Sequence, residues 1–109
     1  MTESTHPTSE FFDVSVTQLS DRTIVAPQNA LDGATIARFR KLVALNVPAG
    51  KPVTVNLAGV TVISSAGLDA ILGVQDRASV LDVECGSVWQ RQLFEIAGLT
   101  HLLRPTDAE

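Results

Sequence analysis

Apolar and polar positions along the chain change period several times, and each change marks an element. Phe11 to Leu19, FFDVSVTQL, alternates through Phe12, Val14 and Val16, the pattern of a strand with one buried face. Ser20 and Asp21 supply a turn. Arg22 to Ala26, RTIVA, then gives a second strand that pairs with the first as an antiparallel hairpin. Pro27 ends it, and Asn29 to Asp32 reads as a loop. From Asp32 the period lengthens: Ile36, Phe39, Leu42 and Val43 share one helical face, with Arg38, Arg40 and Lys41 largely off it. Asp32 suits the cap of this helix, and Asn46, Pro48 and Gly50 stop it.

The next stretch, KPVTVNLAGVTVISSAGLDAIL from Lys51 to Leu72, organises the rest. Its β-branched Val53, Thr54 and Val55, followed by Asn56 and Leu57, predict a short central strand. Ala58 to Ile63 carries the chain across to Ser64 and Ser65, where a helix opens with Leu68, Ile71 and Leu72 at helical spacing. Val80 to Cys85, VLDVEC, predicts a fourth strand. Gly86 and Ser87 then cap a last helix, VWQRQLFEIAG, in which Val88, Leu93 and Ile96 are expected to face the core and Gly98 to stop the turn. Leu99, Leu102 and Leu103 pack the chain end back onto the sheet.

Strands alternating with helices predict an α/β fold, a mixed four- to five-stranded sheet with helices packed against it. Loops at the carboxyl ends of parallel strands gather function in such sheets. Asp32 follows the second strand and Ser64 and Ser65 follow the third, so parallel pairing of those strands would bring both loops to one edge.

Composition narrows the function. A chain of 109 residues, 45% of them hydrophobic, suits one compact domain, expected over 11–104 between a polar tail at 1–10 and a frayed end at 105–109. No apolar run approaches the ~18–20 residues that span a bilayer, and no basic-then-apolar leader opens the chain. The expectation is a cytoplasmic protein without direct membrane insertion. A net charge of −4 and 5% aromatic residues speak against nucleic acid as a partner. His6 and His101 stand apart from each other and from Cys85, so neither a metal nor another cofactor is expected.

The chemistry concentrates at the serine pair. A helix start leaves backbone N–H groups unpaired and carries partial positive charge, so it accepts either a capping hydroxyl or a phosphoryl group. A nucleophilic serine would need a neighbouring base; there is no G-x-S-x-G motif, and His101 lies beyond the last helix, so no catalysis is expected. Gly67 is suited to a close backbone approach, and Asp69, one turn in, complements the dipole. Trp89 reads as a packing residue or, if exposed, a partner anchor; Cys85 reads as a small buried hydrophobe.

The stretch VTVNLAGVTVISSAGLDAILG resembles the signature of the STAS domain (sulphate transporter and anti-sigma factor antagonist). ALDGATIARFRKLV is similar to that family's first helix start, and SVWQRQLFEIAGLTHLL to its last helix. Together the three span nearly everything from Phe11 to Leu103. The resemblance implies a stand-alone anti-sigma factor antagonist of bacterial type. When unphosphorylated, such a protein sequesters an anti-sigma factor that has serine kinase activity, and phosphorylation releases it. By position the phospho-acceptor falls on Ser65, with Ser64 as second choice. The partner surface would comprise Asp32, Ser64, Ser65, Ala66, Gly67 and Asp69. Ser64 stands where the family has an aspartate. That departure keeps open a non-phosphorylated STAS module of a signalling scaffold or membrane-transporter complex.

Overall fold

The computed structural model describes residues 9–11 and 14–104. The elements are β1 (Ser9–Phe11), β2 (Val14–Gln18), β3 (Thr23–Pro27), β4 (Asn29–Leu31), α1 (Ile36–Asn46), β5 (Val53–Asn56), β6 (Val60–Ile63), α2 (Ser65–Gly73), β7 (Leu81–Glu84) and α3 (Val88–Ile96). Short 3₁₀ turns at Val74–Asp76 and Thr100–Leu102 complete it. β1 takes in Ser9 and Glu10, which composition had placed in the tail; the rest of that expected tail, 1–8, and the expected frayed end, 105–109, lie outside the described residues.

Five strands form a mixed sheet in the order β1-β2-β3-β5-β7. β1, β2 and β3 run antiparallel, and β5 pairs parallel with both β3 and β7. This is the α/β architecture expected from the alternation of periods. Register aligns Val16, Val25, Val55 and Val83 in one row across four strands, each at most 2% exposed. β-Branched side chains stacked on one face of a pleated sheet explain why these short strands hold their register. α1 packs on β2 and on α2, burying Phe39, Leu42 and Val43, and α2 buries Ala70 and Ile71.

Two stretches read as irregular are strands. Asn29–Leu31 pairs parallel with Val60–Ile63, so the β3–β5 pair resumes beyond a kink as a separate two-stranded sheet. The kink is visible at Asn29, whose φ of 64° is left-handed, and in the register shift between Asn29 and Ala30. The expected loop at 29–32 and the expected plain crossing at 58–63 are corrected accordingly: mutual pairing satisfies backbone groups that a loop would leave open.

The last helix is rotated from its expected face. Val88 is 71% and Ile96 85% exposed, Leu93 is partly buried, and the inward residues are Gln90 and Phe94. Gln90 wins the interior because it meets bare backbone. Its Nε2 donates to the carbonyls of Leu57 (2.8 Å) and Val60 (2.9 Å), and its Oε1 accepts from the Gly86 N–H (2.6 Å). An amide that satisfies all three partners is buried without penalty. Leu99, Leu102 and Leu103 do close the end: Leu103 bridges Val83, and the Arg104 N–H donates to the Val83 carbonyl.

Candidate functional site

The serine pair divides two jobs that the sequence left combined. Ser64 is the N-cap of α2: its Oγ accepts from the Gly67 N–H at 3.1 Å, and its carbonyl receives the Leu68 N–H. Ser65 is the first helical residue. It is exposed, and its hydroxyl has no hydrogen-bond partner among the described residues.

Asp32 is set beside this helix start by backbone pairing. Leu31 and Ile63 are register partners at the ends of β4 and β6, and the Ser64 N–H donates to the Leu31 carbonyl at 2.9 Å. The residues that follow, Asp32 and Ser64, therefore leave adjacent strands side by side, at the ~4.8 Å spacing of paired strands. The half-buried Asp32 shapes its own turn. Its Oδ1 accepts from the Ala34 N–H at 3.0 Å, and its carbonyl accepts from the Thr35 and Ile36 N–H groups. Thr35 supports the turn from the other side: its Oγ1 accepts from the Asp32 N–H (3.1 Å) and donates to the Ala30 carbonyl (3.0 Å). The aspartate caps the turn ahead of α1; the formal N-cap is Thr35.

Gly67 is what lets α2 sit this close. A Cβ there would overlap the Leu31 carbonyl oxygen and lie 2.8 Å from its carbon. The same carbonyl accepts the Ser64 N–H, so helix start and strand end meet over one backbone atom. Ala66 is partly buried, and Asp69 is exposed on the outer face of the helix. Asp32, Ser64, Ser65, Ala66 and Gly67 thus form one ridge at the ends of β4 and β6, with Asp69 one turn away.

Other singled-out residues fall elsewhere. Trp89 is 42% exposed in the first turn of α3, which removes the purely packed reading. Cys85 is half-buried rather than buried; desolvation raises its thiol pKa above the ordinary value, with Arg91 opposing. Among the described residues no three His, Cys, Asp or Glu side chains cluster to hold a metal, and no helix is long and apolar enough to cross a membrane. Gln90 and Thr35 were the functional-looking polar residues that sequence reasoning missed. S-V-W-Q at Ser87–Gln90 carries the signature of a capping box. Here the glutamine reaches past the cap to Gly86, and the buried Ser87 Oγ has no partner.

Comparison with known structures returns the same architecture. The unphosphorylated form of the anti-sigma factor antagonist SpoIIAA superposes with a TM-score of 0.69 at 14% identity, covering 86% of this chain and 89% of that one. An anti-sigma factor antagonist from Mycobacterium paratuberculosis gives 0.70 at 18% identity, covering 86% of each chain. The phosphorylated form of SpoIIAA, the Bacillus cell fate determinant, gives 0.63 at 14% identity over 86% and 92%. Comparison with curated sequences returns no match. The family model of the STAS domain matches residues 13–106, nearly the whole folded chain. On that match, and with the sheet order and helix placement described above, the chain belongs to the STAS domain family.

Proposed function

We propose that this protein is an anti-sigma factor antagonist: unphosphorylated, it sequesters an anti-sigma factor with serine kinase activity, and phosphorylation at Ser65 releases it. The observation that carries the reading is the division of labour between the serines. Because Ser64 already caps α2, the exposed Ser65 hydroxyl is unengaged and can be modified without removing a structural hydrogen bond. A phosphoryl group there adds about −1.5 to −2 charge at neutral pH. The helix dipole tolerates it, worth ~0.3–1 kcal/mol for an exposed anion, so the fold survives the modification. A partner packed over the ridge does not: it would face the new charge beside Asp32, and each ~1.4 kcal/mol lost weakens the complex tenfold.

Fold resemblance to anti-sigma factor antagonists supports the general kind of protein. A second reading, a STAS interaction module that is never phosphorylated, draws on Ser64, which supplies no carboxylate beside the acceptor. The discriminating experiment is intact mass and peptide mapping of the protein recovered from its own cells with its co-purifying partners. One phosphoryl group on Ser65 in the free fraction, missing from the fraction bound to a kinase-like protein, supports the switch. Partners that are scaffold or transporter subunits, with no phosphate under any growth condition, replace it with the second reading.

A further inference from the structure

At the other end of α2, about 12 Å along its axis from Ser65 at ~1.5 Å per residue, a groove of about 460 Å³ opens between α1 and the turn that follows α2. Its size falls within the ~300–1,000 Å³ typical of small-molecule sites. The floor is apolar: Phe39, Val43, Ala70 and Val74 line it, none more than 6% exposed. Gly73 lines one wall, and an added Cβ there would meet nothing within 4 Å. Two cations stand at the rim. Arg40 has no hydrogen-bond or ion-pair partner among the described residues. Arg77 is partly buried and held in place by its Nε, which donates to the Val47 carbonyl at 2.6 Å, leaving both terminal nitrogens without an acceptor. The one acidic neighbour in the groove, Asp76, is exposed and pairs with neither arginine.

An apolar floor with two guanidinium groups at its rim, both with terminal nitrogens that lack acceptors among the described residues, has the complement of an amphipathic anion. A carboxylate matches the planar fork of an arginine in a charge-assisted bond, and an alkyl body of a few carbons covers the floor. We propose that this groove binds a small carboxylic acid with a short apolar chain, its carboxylate on Arg40 and Arg77 and its chain along Phe39, Val43, Ala70 and Val74. The site is independent of the serine ridge.

The test uses octanoate as probe and 1-octanol as its neutral counterpart, followed by two-dimensional amide NMR of the full chain. Octanoate is expected to shift the amides of Ala44, Gly73, Val74 and Arg77 saturably, and octanol to bind at least about tenfold more weakly, as expected when a charge-assisted contact is lost. Gly73→Leu fills the groove at a backbone φ of −62° that any residue adopts, so it is expected to keep the fold and abolish the shifts. Arg40→Gln, which removes charge from an exposed position, is expected to weaken octanoate about tenfold while leaving octanol unchanged. Absence of saturable shifts, equal binding of octanol, or undiminished binding to folded Gly73→Leu would each overturn the proposal.

Discussion

Replacing Gln90 by methionine keeps an unbranched side chain of the same length and removes only its polar atoms. In the folded protein Gln90 is 1% exposed and its bonds to the Leu57 and Val60 carbonyls are buried, so on that side water cannot take over what the amide leaves. Three backbone groups lose a partner, but not equally. The Gly86 N–H loses the bond of 2.6 Å that the amide oxygen supplied, and the Val60 carbonyl loses one of 2.9 Å. The Leu57 carbonyl keeps the Val60 N–H at 3.0 Å and suffers least. Gly86 is exposed, so its N–H can turn to water, and the buried Val60 carbonyl sets the cost at about 1–3 kcal/mol, the penalty for one buried group left unsatisfied. Methionine recovers a small part of that through added apolar burial. For a domain of this size, ~1 kcal/mol moves the melting temperature by ~4–8 °C, so Gln90→Met should melt roughly 5–20 °C lower.

The assay is urea unfolding followed by far-UV circular dichroism. The midpoint should fall with an unchanged slope, because the surface exposed on unfolding is the same. Gln90→Glu adds a test that volume alone cannot pass. A carboxylate there presents oxygens to two carbonyls, so this variant should be less stable than Gln90→Met at pH 7 and recover relative to it as pH falls and the acid becomes able to donate. A Gln90→Met unfolding free energy within about 0.5 kcal/mol of wild type would refute the assignment of Gln90 as the clasp between α3 and the 57–60 turn.

Ser64→Ala should cost about 1 kcal/mol through loss of the cap to Gly67, while Ser65→Ala should change stability by less than ~0.5 kcal/mol as an exposed substitution; chemical denaturation of both separates the serines. Gly67→Ala, whose methyl would overlap the Leu31 carbonyl, should cost about 2–3 kcal/mol or more, and amide NMR should show Asp32 shifting with it; unchanged spectra would remove the close contact. Cys85 should react slowly with iodoacetamide at pH 8 and accelerate on unfolding, because burial favours its neutral thiol. The sign follows from linkage: the unfolded thiol ionises first, so the contribution of Cys85 to stability is intact below the unfolded pKa and falls as pH rises through it toward the higher folded value. Arg104→Ala should lose no more than ~1 kcal/mol, and less at high salt, because its contacts with Asp82 (3.9 Å) and Glu84 (3.5 Å) are partly exposed.

The main sheet was legible because its strands are valine-rich: Val14 and Val16 sit where period-two reading puts them, and the β-branched Val53, Thr54 and Val55, all buried, mark the central strand. β4 has only three residues, too few for a period, and β6 leaves Thr61 and Val62 exposed, so its burial follows no two-residue alternation. The buried face of α3 escaped for a different one. A polarity rule sends glutamine outward, whereas this one meets two carbonyls of the 57–60 turn and the Gly86 N–H ahead of its own helix, and only a group with donor and acceptor together can serve both. At the site, Ser64 and Ser65 were found as a pair, but which one caps depends on where the first helical turn begins, a boundary fixed by the Ser64–Leu31 backbone bond and invisible in local sequence.

The two-stranded pair of β4 and β6 sets a ruler under the ridge that is made of main chain alone. The spacing of positions 32 and 64 is decided by the Leu31–Ile63 register and one N–H to carbonyl bond, neither of which consults the side chains carried there. Charge and hydroxyl content at those two positions can therefore be rewritten while the distance between them stays fixed. A scaffold of that kind can diverge in whom it recognises without first having to relearn how to fold.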